Sequence, residues 1–295
     1  MKPAPFDYHR PGSLPEALAA LAGEPNAKVL AGGQSLVPLL SMRLAAPATL
    51  VDLNAVPGLA AITVEEAPAG AGGRPGVRIG ALVRHTDVLA SPDVRRVQPL
   101  VCEALAHVAH ATIRNRGTTV GSLVHADPAA EMPAVLLLLG GLVEAASVRG
   151  TRTIPAAELF LGPLESALAA DEIATSAFFP ALAPGAGVAF DEIARRHGDY
   201  ALCGVAAVVA GTSVRAAYVA VADVPTVVDL SGVPLAEVGE AALAQLAPAA
   251  DIHASAAYRA QLVRVLTERV VRAATARAAT PTATPSGGPT GGGDA

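Results

Sequence analysis

Short apolar runs and amphipathic stretches alternate along the chain, with glycine, proline and hydroxyl residues punctuating them. Pro5-Phe6-Asp7-Tyr8 reads as a short strand, and Ser13 as the cap of a helix over 15–21, with Glu16 three residues after it. The apolar run 28–31 predicts a strand, 35–44 a helix, and 49–53 a strand closed by Asp52-Leu53-Asn54. That order, β–α–β–α–β, describes a small parallel unit. Segments 59–64 and 76–82 fit an antiparallel hairpin whose connection, 66–75, is rich in glycine and proline. Thr86 is placed to cap a helix over 87–90, and 99–110 predicts a longer helix with Val101, Leu105 and Val108 on one face.

Further on, 132–139 reads as a buried helix, 141–147 and 171–180 as the ends of a second unit, and 180–187 (PALAPGAG) as a linker. Segment 188–194 follows, then 201–210 and 214–221 as a hairpin through Gly211-Thr212-Ser213, and 251–277 as a long helix. Arg264, Glu268 and Arg272, four apart, read as a solvated salt-bridged face. The expected division is 1–180, with subdomains of about 1–56 and 57–180, then 185–277. A tail over 278–295 is too poor in apolar residues to fold.

Two loops within this frame carry candidate chemistry. Ala31-Gly32-Gly33-Gln34-Ser35-Leu36 joins a strand to a helix, and Thr112 to Ala134 holds Thr118, Thr119, Val120, Gly121 and Ser122. Small side chains let backbone N–H groups approach phosphate oxygens, and hydroxyls add donors without charge. Each loop alone is also what a tight turn requires. Two together could hold one dinucleotide. The first is not the Rossmann fingerprint, because the third glycine of G-x-G-x-x-G is missing and Asp52 ends an ordinary-looking strand.

Composition then narrows the partners. A chain of 295 residues, 52% hydrophobic and 16% charged, can bury a sizeable core. A formal charge of −5 without a basic cluster leaves no footprint for nucleic acid. The N-terminus has no apolar leader, and Pro133 and Gly140-Gly141 break the longest apolar run, so a cytoplasmic protein without a membrane span is expected. Two cysteines, Cys102 and Cys203, cannot ligate an iron–sulfur cluster, so redox chemistry here needs an organic cofactor. His107 and His110 have metal-compatible spacing but no third ligand nearby, which favours a role at a helix end. No Gly-x-Ser-x-Gly elbow is present. Asp127, before Pro128, reads either as a helix N-cap or as a hydrogen-bond partner for a cofactor, and Glu131 shares the second reading.

AGGQSLVPLLSMRL, IRNRGTTVGSLVHADPAAEMPAVL and FDEIARRHGDYAL resemble, in this order, three segments of the FAD-binding medium subunits of molybdenum hydroxylases, the carbon monoxide and xanthine dehydrogenase group. The resemblance runs from Pro5 to about Arg272. It implies an α+β fold: a two-subdomain FAD-binding domain of the PCMH or VAO type, then a small antiparallel sheet with helices. It also implies FAD held at its pyrophosphate by Ala31 to Leu36 and Thr118 to Ser122, with Asp127 and Glu131 as contacts and Ile173 and Ala174 along the isoalloxazine. Catalytic side chains are not expected. Electrons would come from a large molybdenum-cofactor subunit through a small iron–sulfur subunit and leave to an external acceptor, in a dimer of heterotrimers. Carbon monoxide dehydrogenase looks nearest. Two features depart from the pattern: Thr119-Val120-Gly121-Ser122 replaces T-I-G-G-N, and Asp191 stands where some members have a lysine, a loss of positive charge that would lower the flavin potential. The rivals are a self-contained flavin oxidase or reductase using Tyr200 or His197, and a scaffold that has lost FAD.

Overall fold

The computed structural model describes residues 2–69 and 73–279, so the segment 280–295, most of the expected unfolded tail, lies outside it. The chain opens with β1 (Asp7–His9), α1 (Leu14–Gly23), β2 (Ala27–Leu30), α2 (Leu36–Ser41) and β3 (Thr49–Asp52). The strands form a parallel sheet in the order β1-β3-β2, as the alternation of elements predicts. Ser13 caps α1 by accepting from the Glu16 amide at 3.3 Å. α2 is shorter than expected. It ends at Ser41 because Arg43 turns left-handed (φ 60°) and the Leu44 amide folds back to the Leu39 carbonyl.

The next layer holds β4 (Ile62–Glu65), β5 (Gly76–Gly80), α3 (His85–Ala90), α4 (Pro92–Val97), α5 (Pro99–His107), α6 (Ala111–Arg114), α7 (Thr119–His125) and α8 (Glu131–Leu139). After them come β6 (Leu142–Ser147), β7 (Gly150–Pro155), α9 (Ala156–Leu159), a hairpin of β8 (Phe160–Gly162) and β9 (Glu165–Ser166), and β10 (Ile173–Pro180). The antiparallel sheet runs β4-β5-β10-β6-β7, and its central strand β10 is buried throughout. α5 stops three residues early, since Ala109 takes a positive φ of 43° that the helix cannot contain. α3 starts at His85, not beyond Thr86, because Asp87 accepts from the Arg84 amide and fixes the first turn there.

The last unit is β11 (Gly187–Ala194), β12 (Ala201–Ala210), β13 (Ser213–Val219), β14 (Thr226–Asp229), α10 (Val238–Leu243) and α11 (Ala256–Ala278). Its antiparallel sheet is ordered β11-β12-β13-β14. Strand period decides which way each residue faces. Val188, Phe190, Ala206, Ala217 and Val219 join the core shared with α5 and α8. Ala189, Val205, Ala207, Ala216 and Tyr218 join a second core under α10 and α11. Covered on both faces, the sheet reads as continuous apolar sequence. α11 starts at Ala256, five residues later than expected, because Asp251 instead caps a turn, accepting from the His253 and Ala254 amides and pairing with Arg259 at 2.6 Å. The expected charged face of α11 is divided: Glu268 pairs with Arg272, but Arg264 reaches Glu240 of α10 at 2.6 Å. Among the described residues no helix is long and apolar enough to cross a membrane.

Candidate cofactor-binding site

The two glycine loops meet backbone to backbone. A Cβ on Gly32 would lie 2.5 Å from the Arg116 carbonyl oxygen and 2.9 Å from Gly117 Cα, so only glycine permits this approach. Gly33 adopts a left-handed φ of 74°, and the Gln34 amide side chain donates to the Gly32 carbonyl at 3.1 Å, which fixes the turn from inside. The first loop therefore leaves the end of β2, crosses the second, and enters α2.

A polar chain that the sequence pattern does not reveal braces this crossing. Asp52, 7% exposed at the end of β3, accepts from the Tyr8 hydroxyl and from the backbone and side-chain nitrogens of Asn54. Asn54 in turn donates to the Ala31 carbonyl at 2.9 Å. Arg84 donates to the Asn54 side-chain oxygen at 2.5 Å and to the Arg116 carbonyl at 2.7 Å, and so ties the first loop to the second. Partial burial, and then Arg116 beside it, push Arg84 below the usual guanidinium range, against the opposing pull of Asp87 and Asp52. Asn54 and Arg84 escape sequence reading because each sits singly at a strand or helix end. The only local signal is the Asp-Leu-Asn step at the end of the parallel sheet.

In the second loop, Thr118 caps α7: its hydroxyl accepts from the Gly121 amide at 3.2 Å and its carbonyl from the Ser122 amide at 3.0 Å. Thr119 and Val120 point into the core, and the Thr119 hydroxyl meets His85 Nδ1 at 3.2 Å. Burial first, and Arg114 second, hold His85 down at about 4, so it is neutral at physiological pH. His85 also donates its backbone N–H to the Gly117 carbonyl at 2.9 Å, a second bond beneath the crossing.

The remaining sequence candidates fall at different depths. Asp127 is not a helix cap. Its carboxylate accepts from the Ala129 amide at 2.9 Å in a turn of its own, and α8 begins four residues later, with Ala130 at the N-cap position and no side-chain cap. Glu131 is buried in the first turn of α8, where burial, then Glu192, raise its pKa to about 8. Ala174 lies in β10 beside a bulge at Thr175, on the strand that α7 packs against, and not in either loop. The third motif packs onto the α5–α6 corner: Gly198 takes φ 83° against the His110 ring, and His197 lies 5.9 Å from His110, centroid to centroid. Tyr200 is 66% exposed, yet the surrounding protein, and then Asp127 and Glu131, push its phenol up. Asp191 ion-pairs with Arg269 at 2.8 Å, so its charge is offset in place. No cluster of three metal-ligating side chains occurs among the described residues.

These groups fit a pyrophosphate. No described residue accepts from the amides of Gly33, Gln34, Ser35 or Leu36, and the Ser35 and Ser122 hydroxyls bond to no described residue. A run of unsatisfied donors on a glycine loop, beside Arg84 and Arg116, suits an anion with several oxygens.

The comparisons with known proteins bear on the same segments. Residues 4–182 match the family described as the FAD binding domain in molybdopterin dehydrogenase. The chain is 41% identical over 295 residues to the 6-hydroxypseudooxynicotine dehydrogenase complex subunit alpha of Paenarthrobacter nicotinovorans, covering 94% of this chain and 97% of that protein. It is also 41% identical to the nicotine 6-hydroxylase medium subunit of the same organism, covering 94% and 100%. The structure of carbon monoxide dehydrogenase from Hydrogenophaga pseudoflava superposes with a TM-score of 0.85 at 32% identity, covering 94% of this chain and 99% of that one. The lean of the sequence towards carbon monoxide dehydrogenase is thus corrected, since the two nicotine-named relatives are 41% identical and the carbon monoxide dehydrogenase medium chains of Hydrogenophaga pseudoflava and Afipia carboxidovorans 33% and 34%. With an N-terminal family match over 4–182 and relatives aligned along nearly their whole length, the chain belongs to the FAD-binding medium subunits of the molybdenum hydroxylases, oxidoreductase subunits whose cofactor is FAD.

Proposed function

We propose that this chain is the electron-transfer subunit of a molybdenum hydroxylase that oxidises a nitrogen heterocycle, and that its two crossing loops hold the FAD pyrophosphate. The observation that carries the site is the approach of Gly32 to Arg116 and Gly117, which brings the free amides of Gly33 to Leu36 beside Thr118 to Ser122. The names of the relatives at 41% identity support the substrate class. In this reading residues 1–180 hold the cofactor and 185–277 cover it. Asp127 and Glu131 lie toward the ribityl or ring end, and Ala174 lies along the ring.

Bound FAD supplies the redox chemistry, taking electrons from iron–sulfur clusters of a small partner subunit and passing them to an external acceptor. The residues of this chain bind, orient and exclude water. The Gly33 to Leu36 amides and the Ser35 and Ser122 hydroxyls donate to phosphate oxygens, Arg84 supplies positive charge, and the bracing through Asp52 and Asn54 keeps the first loop in place. The large subunit, carrying the molybdenum cofactor, holds the substrate site. The assembly is a dimer of heterotrimers in the cytoplasm.

The test is reconstitution. The purified chain alone, mixed with nicotine or a related N-heterocycle under anaerobic conditions, is expected to keep its oxidised flavin spectrum. Adding the iron–sulfur and molybdenum subunits is expected to bleach it. Bleaching by substrate with this chain alone would instead favour a self-contained oxidase.

A further inference from the structure

Two buried carboxylates, one at the start of α8 and one on β11, lie outside the pyrophosphate loops. Glu131, 7% exposed, starts α8, and its own backbone N–H is the one donor that favours its ionised form. The Glu192 side chain on β11 is also 7% exposed, and its buried Oε2 has no hydrogen-bond partner among the described residues. Its other oxygen lies 3.8 Å from Nδ1 of His107, the last residue of α5. The His107 side chain is 34% exposed and stands edge-on to Phe190 at 5.1 Å, so it links the buried carboxylate to solvent. The space for Glu192 is built in: it pairs across the sheet with Gly204, where a Cβ would lie 3.2 Å from that of Glu192.

We infer that Glu131 and Glu192 act as one proton-holding pair beside the flavin pocket, with His107 as its outlet to water. The inference rests on the reading of the loops as the FAD cradle. A buried carboxylate oxygen with no donor strongly disfavours the ionised form. The neighbours do not relieve this. Asp191 on the same strand is paired with Arg269 of α11, and Glu103 of α5 is paired with Arg277. Asp127 and Tyr200 bring a negative charge and a neutral phenol toward Glu131; burial first, and then His197, lower the proton affinity of His107 while Asp191 and Glu103 raise it; β12 contributes only Gly204 opposite Glu192. Desolvation leads for both acids, raising Glu131 to about 8 and Glu192 to about 7. Bound FAD would supply the proton acceptor: on two-electron reduction one carboxyl O–H of the pair would break and its proton would pass to a ring nitrogen of the reduced cofactor, leaving a carboxylate. The carboxylate left behind regains a proton from water through His107.

A carboxyl group whose folded-state pKa is raised gives stability that is present at low pH and lost progressively as pH climbs from the ordinary carboxylate range towards about 7 to 8.

Infrared difference spectroscopy of the full chain with FAD, titrated from pH 5 to 9, tests the pair directly. Protonated-carboxyl C=O bands are expected at pH 6.5 in the wild type and to be lost above neutrality. Glu192→Gln should remove one band and lower the pH at which the other disappears. Glu131→Gln should remove that other band, and dithionite reduction of FAD should shift the pair. His107→Gln should slow hydrogen–deuterium exchange of the bands. Wild-type spectra without protonated carboxyls at pH 6.5 would overturn the inference even if the variants fail to fold, and so would bands indifferent to reduction. Absence of FAD uptake, read from the visible spectrum of the same sample, would overturn the cradle reading instead.

Discussion

Gly32→Val is expected to strip the protein of FAD while leaving most of its helices and strands in place. The substitution puts its Cβ 2.5 Å from the Arg116 carbonyl oxygen and 3.0 Å from the Thr118 amide nitrogen, both backbone atoms that cannot step aside. Overpacking of this kind costs about 1–3 kcal/mol in a packed interior. Here the strain relaxes by driving the two loops apart, and the donors that must converge on one pyrophosphate no longer do. A weakening of FAD binding by about 100-fold corresponds to roughly 3 kcal/mol. Equilibrium dialysis, with circular dichroism as the check on folding, measures it. Gly32→Ala, which carries the same first carbon, should lose most of the same affinity, and a variant that binds like wild type would show that the loops need not touch.

Arg84→Ala is expected to give the second largest loss, through geometry and not contact area. One guanidinium holds the Asn54 side chain, and with it Ala31, and also the Arg116 carbonyl. Hydrogen bonds to charged groups contribute about 1.5–3 kcal/mol each when partly shielded. Losing both should weaken FAD by at least about tenfold and lower Tm. Arg84→Lys should recover little, because an ammonium on a single stem cannot span two acceptors in different loops as the planar fork does. The pair of variants separates bracing from simple charge: if Lys restores binding fully, the positive charge alone was what the site required.

Much of the fold is readable because its local rules agree. The parallel sheet β1-β3-β2 follows from apolar runs alternating with a capped helix, and the hairpin of β12 and β13 from two apolar strands around Gly211-Thr212-Ser213. β14 and α10 were not anticipated, because Thr226 to Asp229 is short and half-buried and α10 has only six residues, neither long enough to show a period. α2, α5 and α11 depart by several residues from the lengths their patterns predict, where a left-handed residue or an aspartate turn overrides an apolar pattern that would continue.

At the site, the glycines and hydroxyls were legible because their chemistry is local to each loop. Asn54, Arg84, His85 and Glu192 were not. Each acts through a partner 23 to 61 positions away, Ala31 for Asn54, Arg116 for Arg84, Thr119 for His85 and Glu131 for Glu192, and no spacing rule connects them. Asp127 shows the opposite case: its Pro128 neighbour suggested a helix start, whereas a short turn intervenes before α8.

The most direct measurement of the cradle is the FAD content of the purified chain beside that of Gly33→Asp. About one FAD per wild-type chain is expected, from a cradle of preorganised backbone donors, and a colourless Gly33→Asp. That variant places a carboxylate among the phosphate donors at a residue whose φ of 74° already disfavours a side chain. Full FAD retention by Gly33→Asp would contradict the account, because the cofactor would then have to be held elsewhere.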